Sequence, residues 1–180
     1  MGQYFRAIIL NDIEINGKEI IKIFMDPWNY EYPALLMDHA YINNIFVNSF
    51  EYHLTKDGKF HKSRIVWAGE YANNEKGLNK NLYDLTNDDF SKYYYRPPLR
   101  GPNFDSTEYY YIINHSKKQY INKQKYKLLH PLPILVAEGN EKSSSDYLGK
   151  NKKLAGFWAR DIISIEKEIP NEFIEFIFDI

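Results

Sequence analysis

Short apolar runs separated by turn residues are the feature that most constrains the fold of this chain. Most of these runs are four to eight residues long, which is typical of strands rather than of buried helices. The pair Asn16-Gly17 between the first two runs favours a tight β-hairpin. The pattern therefore predicts a mostly antiparallel sheet. The predicted strands are Gln3–Leu10, Glu19–Phe24, Arg64–Trp67, Tyr109–Asn114, Lys118–Asn122, Gly156–Ile169 and Phe173–Phe178.

One segment has the periodicity of a helix instead of a strand. Between Asp38 and Leu54, apolar residues recur at steps of three and four, which predicts a single buried face. Its members are Ile42, Ile45, Phe46, Ser49 or Phe50, and Leu54. Asp38 suits the N-cap of such a helix. We therefore expect an α+β protein in which one main helix packs on the sheet and long polar loops join the elements.

Two smaller predictions concern segments whose local signals compete. The apolar run Leu128–Ala137 contains Pro131 and Pro133, which cannot donate to a strand ladder, so we expect an edge or irregular strand. Thr86-Asn87-Asp88-Asp89 resembles a capping box and predicts the start of a short helix.

Length and composition restrict the class of protein. A chain of 180 residues is long enough for one core, and we expect a single globular domain over residues 1–180. A net charge of −1 gives no overall field that would attract nucleic acid. The absence of Cys excludes disulfides, thiolate zinc sites and a Cys nucleophile. With no secretory or membrane-spanning pattern, the expected location is the cytoplasm.

Several short motifs in a fixed order resemble a family of bacterial and phage proteins with no established activity. They span about residues 1–168, and the resemblance implies one compact domain but no reaction. Glu70 stands where the family tends to have Asp. The motifs are MGQY at residues 1–4, LMDHAY at 36–41, VWAGEYA at 66–72, NHSKK at 114–118, HPLPIL at 130–135, EGN at 138–140 with DY at 146–147, and GFWARD at 156–161.

The most promising binding site lies around the HPLP motif and the polar loop that follows it. A bend at the prolines would bring His130 and Glu138 to the same end of the strand, next to a loop rich in hydroxyl and amide groups. The WAGEYA motif adds aromatic rings beside small residues, where a flat ligand could stack. The candidate ligand-binding residues are His130, Glu138, Asn140, Asp146, Trp67, Glu70 and Tyr71.

Each of these candidates also has an ordinary structural explanation. His130 could be a core histidine bonded to the backbone, and Trp67 could simply pack in the core. Asn140 and Asp146 could form turns with their own backbone. The sequence leaves these alternatives open and assigns no catalytic residue.

The remaining motifs bear on cofactors and partners. No paired-histidine spacing, Walker motif or GxGxxG motif is present, so we expect no metal and no cofactor. The lysine clusters between residues 117 and 153 are typical of a solvated surface, which makes nucleic acid an unfavoured partner. The segment Tyr93–Pro98 combines Tyr, Arg and Pro, a composition that suits a protein interface.

Three classes of function fit these observations. The first is a domain that binds a small polar ligand near the HPLP strand. The second is a hydrolase or transferase that uses the same pocket on a small nucleotide-like substrate. The third is an interaction protein of a phage or mobile element, such as an inhibitor or immunity factor, which acts through the Tyr93–Pro98 surface.

Overall fold

A computed structural model describes residues 2–12, 20–96, 108–139 and 152–179 of the chain. The Asn16-Gly17 turn predicted from sequence lies outside these residues. Within them, the element order confirms an α+β protein built on a mostly antiparallel sheet.

Eight strands form one sheet in the described part of the chain. Their order across the sheet is β2-β1-β3-β7-β4-β5-β8, and β6 pairs with β3 outside this path. The strands are β1 (Phe5–Leu10), β2 (Ile21–Met25), β3 (Ser63–Gly69), β4 (Tyr111–Asn114), β5 (Gln119–Asn122), β6 (Ala137–Glu138), β7 (Ile162–Glu166) and β8 (Ile174–Glu175).

Strand β3 joins the two halves of the sheet. One edge of β3 pairs with β1 from Ile65 to Gly69. The other edge is divided, since β7 pairs with Ser63 and Arg64 while the short parallel strand β6 pairs with Trp67 and Ala68. The segment after the HPLP motif is therefore held against the end of a central strand.

Five short α-helices accompany the sheet in the described residues. They are α1 (Leu36–His39), α2 (Ile45–His53), α3 (Leu82–Asp88), α4 (Phe90–Tyr93) and α5 (Pro131–Leu135). Helix α2, with nine residues, is the longest of them. The expectation of one main helix is therefore supported only in part. No helix in the described ranges is long and apolar enough to cross a membrane.

The predicted helix Asp38–Leu54 is two helices in the structure. Asp38 belongs to α1, and the Asn44 side chain caps α2 by accepting a hydrogen bond from Val47 N at 3.1 Å. A cap of this kind satisfies a backbone donor of the first turn, so it sets where the helix starts. Ile42 precedes the helix in a turn and is only partly buried, and Ile45, expected on the buried face, is exposed. Phe46 is fully buried as expected.

The predicted strand Leu128–Ala137 is wrong, because most of this run forms helix α5. His130 is the N-cap of α5, and Pro131 occupies the first helical position. Proline is tolerated there because its missing N–H would have had no partner inside the helix. The same prolines that argue against a central strand thus favour a helix start.

Two other boundaries differ from the prediction. Thr86 lies inside α3, which begins after an Asn81 cap, and Asp89 caps the separate helix α4. In the predicted strand Gly156–Ile169, residues 156–160 form turns, so that β7 begins only at Ile162.

The main core lies between the sheet and α2. Phe46, Phe50 and Trp67 are fully buried, and the ring centroids of Phe50 and Trp67 are 4.8 Å apart with an edge-to-face geometry. Such pairs add to the stabilisation from burial alone. The core thus fixes α2 against β3. It thereby also fixes the side chains on the neighbouring face of α2.

Replacing Phe46 by Ala should lower the free energy of unfolding by about 3–5 kcal/mol, because the change leaves a cavity in this core. Urea unfolding would measure the loss. The matched control is Ile45→Ala on the same helix, since Ile45 is 60% exposed and should change stability by less than about 0.5 kcal/mol. Equal losses in the two variants would contradict the observed orientation of α2.

Candidate functional site

A cavity of about 410 Å³ lies beside α2, where the start of α5 meets the turn after β5. Its volume is in the range of small-molecule sites. Glu51 and His130 lie at its buried floor, whereas Asn43 and Gln124 are exposed at its rim. The residues that line it are Ile42, Asn43, Asn48, Glu51, Tyr110, Lys123, Gln124, Tyr126 and His130.

Backbone pairing brings these distant segments together. The backbone N–H of Ile42 donates to Leu128 O at 3.0 Å, and that of His130 donates to Ala40 O at 3.3 Å. On the other side, Lys123 N donates to Tyr110 O at 2.8 Å. The floor of the cavity is therefore held by main-chain bonds and does not depend on side chains alone.

The floor of the cavity contains a buried ionic cluster. The Glu51 side chain has no exposed surface, and its Oε1 accepts a hydrogen bond from Lys123 Nζ at 2.9 Å. His130 Nε2 lies 3.0 Å from the same oxygen, at ion-pair distance but without the alignment of a hydrogen bond. Both contacts therefore fall on Oε1. Oε2 is buried and has no hydrogen-bond partner among the described residues.

Its two neighbours keep Glu51 ionised. Burial alone would raise the pKa of this carboxyl group, but the charge of Lys123 and the nearby His130 ring lower the pKa to about 2. The site therefore presents a negatively charged oxygen atom, Oε2, inside the protein at neutral pH.

Hydrogen bonding fixes the protonation pattern of His130. Its Nδ1 accepts a hydrogen bond from the backbone N–H of Leu132 at 3.2 Å, which is the N-cap bond of α5. A ring nitrogen that accepts carries no proton, so the proton of the neutral ring is on Nε2, facing Glu51. His130 is thus a capping residue and a partner of the buried carboxylate at the same time.

Glu138, another predicted site residue, belongs to a different ionic cluster. Its two carboxylate oxygens accept from Arg160 Nε at 2.6 Å and from Arg160 Nη2 at 2.8 Å. Arg160 also donates to both oxygens of Glu75, with Nη1 at 2.9 Å from Oε2. His130 and Glu138 therefore contact different partners, and Glu138 does not line the cavity.

The WAGEYA residues likewise lie away from the cavity lining. Trp67 is fully buried in the core, and its Nε1–H donates to His39 Nε2 at 2.8 Å. Glu70 accepts from the backbone N–H of Tyr4 at 3.1 Å, and Tyr71 is 50% exposed. For Trp67 the structure favours core packing, which the sequence left as an alternative.

Other predicted residues are placed only in part. Asn140 and Asp146 lie outside the described residues, as do Pro97 and Pro98 of the Tyr93–Pro98 segment. In the described part of that segment, Tyr94 forms a bridge with Phe24, and Tyr95 N donates to Phe24 O at 2.9 Å.

Sequence reasoning missed Glu51 and Lys123. Glu51 adjoins Phe50 in the helical segment, and nothing in a single sequence distinguishes it from a solvated helix residue. One local signal was available for Lys123. Asn122 precedes it and caps the 3-10 helix Lys123–Lys125, with its side chain accepting from Gln124 N at 3.0 Å.

A second cleft of about 570 Å³ lies around His115 and the end of β7. There His115 Nε2 lies 2.7 Å from Ser164 Oγ, and His61 Nε2 lies 2.6 Å from Glu166 Oε1. Ser164 is fully buried, so its hydroxyl is not accessible to a substrate. In the described part of the chain, no cluster of three or more His, Asp or Glu side chains could hold a metal ion.

Comparisons with known proteins found no match to a family model, to a curated protein or to a solved structure. The geometry of the site itself therefore carries the functional argument.

Acid should destabilise the protein through His39. Burial lowers the pKa of His39 from 6.5 to about 4, so the unfolded chain binds a proton that the folded protein excludes between these values. The stabilisation is complete above pH 6.5 and is lost as the pH falls towards 4, which amounts to about 3 kcal/mol. Urea unfolding at pH 7, 5.5 and 4 would measure it.

The control for this prediction is His39→Gln, which keeps an oxygen able to accept from Trp67 Nε1 but has no titrating ring. This variant should lose about 3 kcal/mol less than the wild type between pH 7 and pH 4. Equal losses in the two proteins would show that His39 is not responsible.

The ionic cluster of Glu51 and Lys123 leads to a prediction about stability. Glu51→Leu should destabilise the protein by about 3 kcal/mol, because Lys123 loses its carboxylate partner at a position only 8% exposed. The double variant Glu51→Leu/Lys123→Met removes both charges together and should recover most of that loss. If urea unfolding gives the same stability for the single and double variants, Lys123 does not depend on Glu51.

Proposed function

We propose that this protein binds a small polar ligand in the cavity floored by Glu51, Lys123 and His130. The observation that carries the proposal is Glu51, a buried carboxylate that lines the cavity and whose Oε2 has no donor among the described residues. An ionised oxygen without a hydrogen bond is costly inside a protein. A bound ligand that donates to Oε2 removes that cost.

The hydrolase or transferase alternative has less support. A general base needs a ring nitrogen that can take a proton from the substrate. In His130, Nδ1 already accepts from Leu132 N–H, and Nε2 faces Glu51 Oε1 at 3.0 Å. His130 is therefore suited to orient the carboxylate rather than to transfer protons.

The interaction-protein alternative relied on the Tyr93–Pro98 segment. Tyr94 and Tyr95 are only partly exposed and contact β2 through Phe24, so they contribute to packing within the chain. Arg96 is the exposed member of the described part. This leaves little of the proposed aromatic surface for a partner, and the ligand-binding function is the better supported one.

Native mass spectrometry of the purified full chain, after incubation with the small-molecule fraction of a cell extract, tests the proposal. We expect one defined adduct at a ratio of one ligand to one chain. Asn48→Trp should abolish the adduct, because Asn48 lines the cavity one turn before Glu51 and the larger ring would fill it.

The matched control is Ser91→Trp, which adds the same ring at an exposed position of α4 away from the cavity. This variant should keep the adduct. Circular dichroism melting would verify that both variants are folded. The absence of any one-to-one adduct, or an adduct that persists in folded Asn48→Trp, would refute ligand binding in this cavity.

A further inference from the structure

We infer that the ligand is an uncharged, planar heterocycle that donates an N–H hydrogen bond to Glu51 Oε2. This inference rests on the proposed function and specifies the chemical class of ligand for the same cavity. Three properties of the lining residues carry it: their charge balance, the position of the unpartnered oxygen, and the chemistry of the walls.

The charges that line the cavity cancel. Glu51 contributes one negative charge and Lys123 one positive charge, and Glu51 Oε1 lies 2.9 Å from Lys123 Nζ. His130 adds none in the tautomer that its N-cap bond imposes. A ligand with a net charge would bring an unbalanced charge to a buried floor, which is costly. Charge balance therefore favours a neutral ligand over an amine, a carboxylate or a phosphate.

Glu51 Oε2 determines whether the ligand must donate or accept a hydrogen bond at this point. Both protein contacts of the carboxylate fall on Oε1, so Oε2 is left as a charged acceptor. Hydrogen bonds to a charged acceptor are stronger than those between neutral groups. The ligand must therefore present a donor at this point, and a neutral N–H group satisfies the oxygen without adding charge.

The walls favour a flat ring. Tyr110 and Tyr126 supply aromatic rings, a side-chain type that stacks well on planar ligands. Asn43, Asn48 and Gln124 add amide groups to the lining. Each amide side chain presents a donor and an acceptor side by side, a pattern that matches the amide-like edge of a heterocycle.

Matched ligand pairs test this inference. The probes are uracil with 1,3-dimethyluracil, and benzimidazole with 1-methylbenzimidazole, because in each pair methylation removes the N–H donor and keeps the ring. Titrations of the isotope-labelled full chain, followed by NMR, would give the dissociation constants. We expect the N–H member of each pair to bind at least about tenfold more tightly. Benzylamine, benzoate, inorganic phosphate and glucose serve as probes of the other ligand classes.

The double variant Glu51→Leu/Lys123→Met identifies the atom responsible. It removes the acceptor and keeps the charge balance, so the two members of each pair should then bind within about threefold of each other. Ser91→Trp should keep the wild-type preference. The inference is wrong if the methylated members bind as tightly as their parents to wild type, if neither parent binds, or if a charged probe or glucose binds more tightly than both.

These outcomes differ from a failure of the proposed function. A one-to-one adduct that disappears in Asn48→Trp, together with no preference for N–H heterocycles, would keep the binding site and overturn only its ligand class. A missing adduct would overturn both.

Discussion

A carboxylate with no exposed surface is the constraint on which the arrangement around the cavity depends. An ionised Glu51 is tolerated inside the protein only if positive or donor groups reach it. Lys123 Nζ does so across a sequence separation of 72 residues, and His130 reaches the same oxygen from the start of α5. The fold must therefore bring α2, the turn after β5 and the HPLP segment together, and the cavity is the space left between them.

Side-chain caps help to position the three segments that converge at the cavity. Asn44 caps α2, Asn122 caps the 3-10 helix that carries Lys123, and His130 caps α5. Each cap satisfies a first-turn donor and fixes the direction in which its helix leaves. The ionic cluster is thus assembled from short elements whose starting points are determined locally, although the contacts between them are long-range.

The contrast between locally determined helix starts and long-range contacts also explains how much the sequence could predict. Turn residues and apolar runs located β1, β3, β4 and β5, because strand ends are local features. Pro131 and Pro133 led to the wrong prediction of a strand, since an apolar run with prolines fits both an edge strand and the first turn of a helix. His130 was singled out by its apolar neighbours. Its partner Glu51 could not be found, because the pairing depends on a contact between distant segments.

The comparison of two ionic clusters shows why only one of them is a candidate for ligand binding. Arg160 donates to both oxygens of Glu138 and to both oxygens of Glu75, so these carboxylates are satisfied within the chain. A planar guanidinium with its fork of donors is suited to such a closed arrangement. In the other cluster, Lys123 and His130 both contact one oxygen of Glu51. Lys123 thus balances the charge of Glu51, while Oε2 has no hydrogen bond among the described residues, and this difference makes the cluster around Glu51 the candidate for ligand binding.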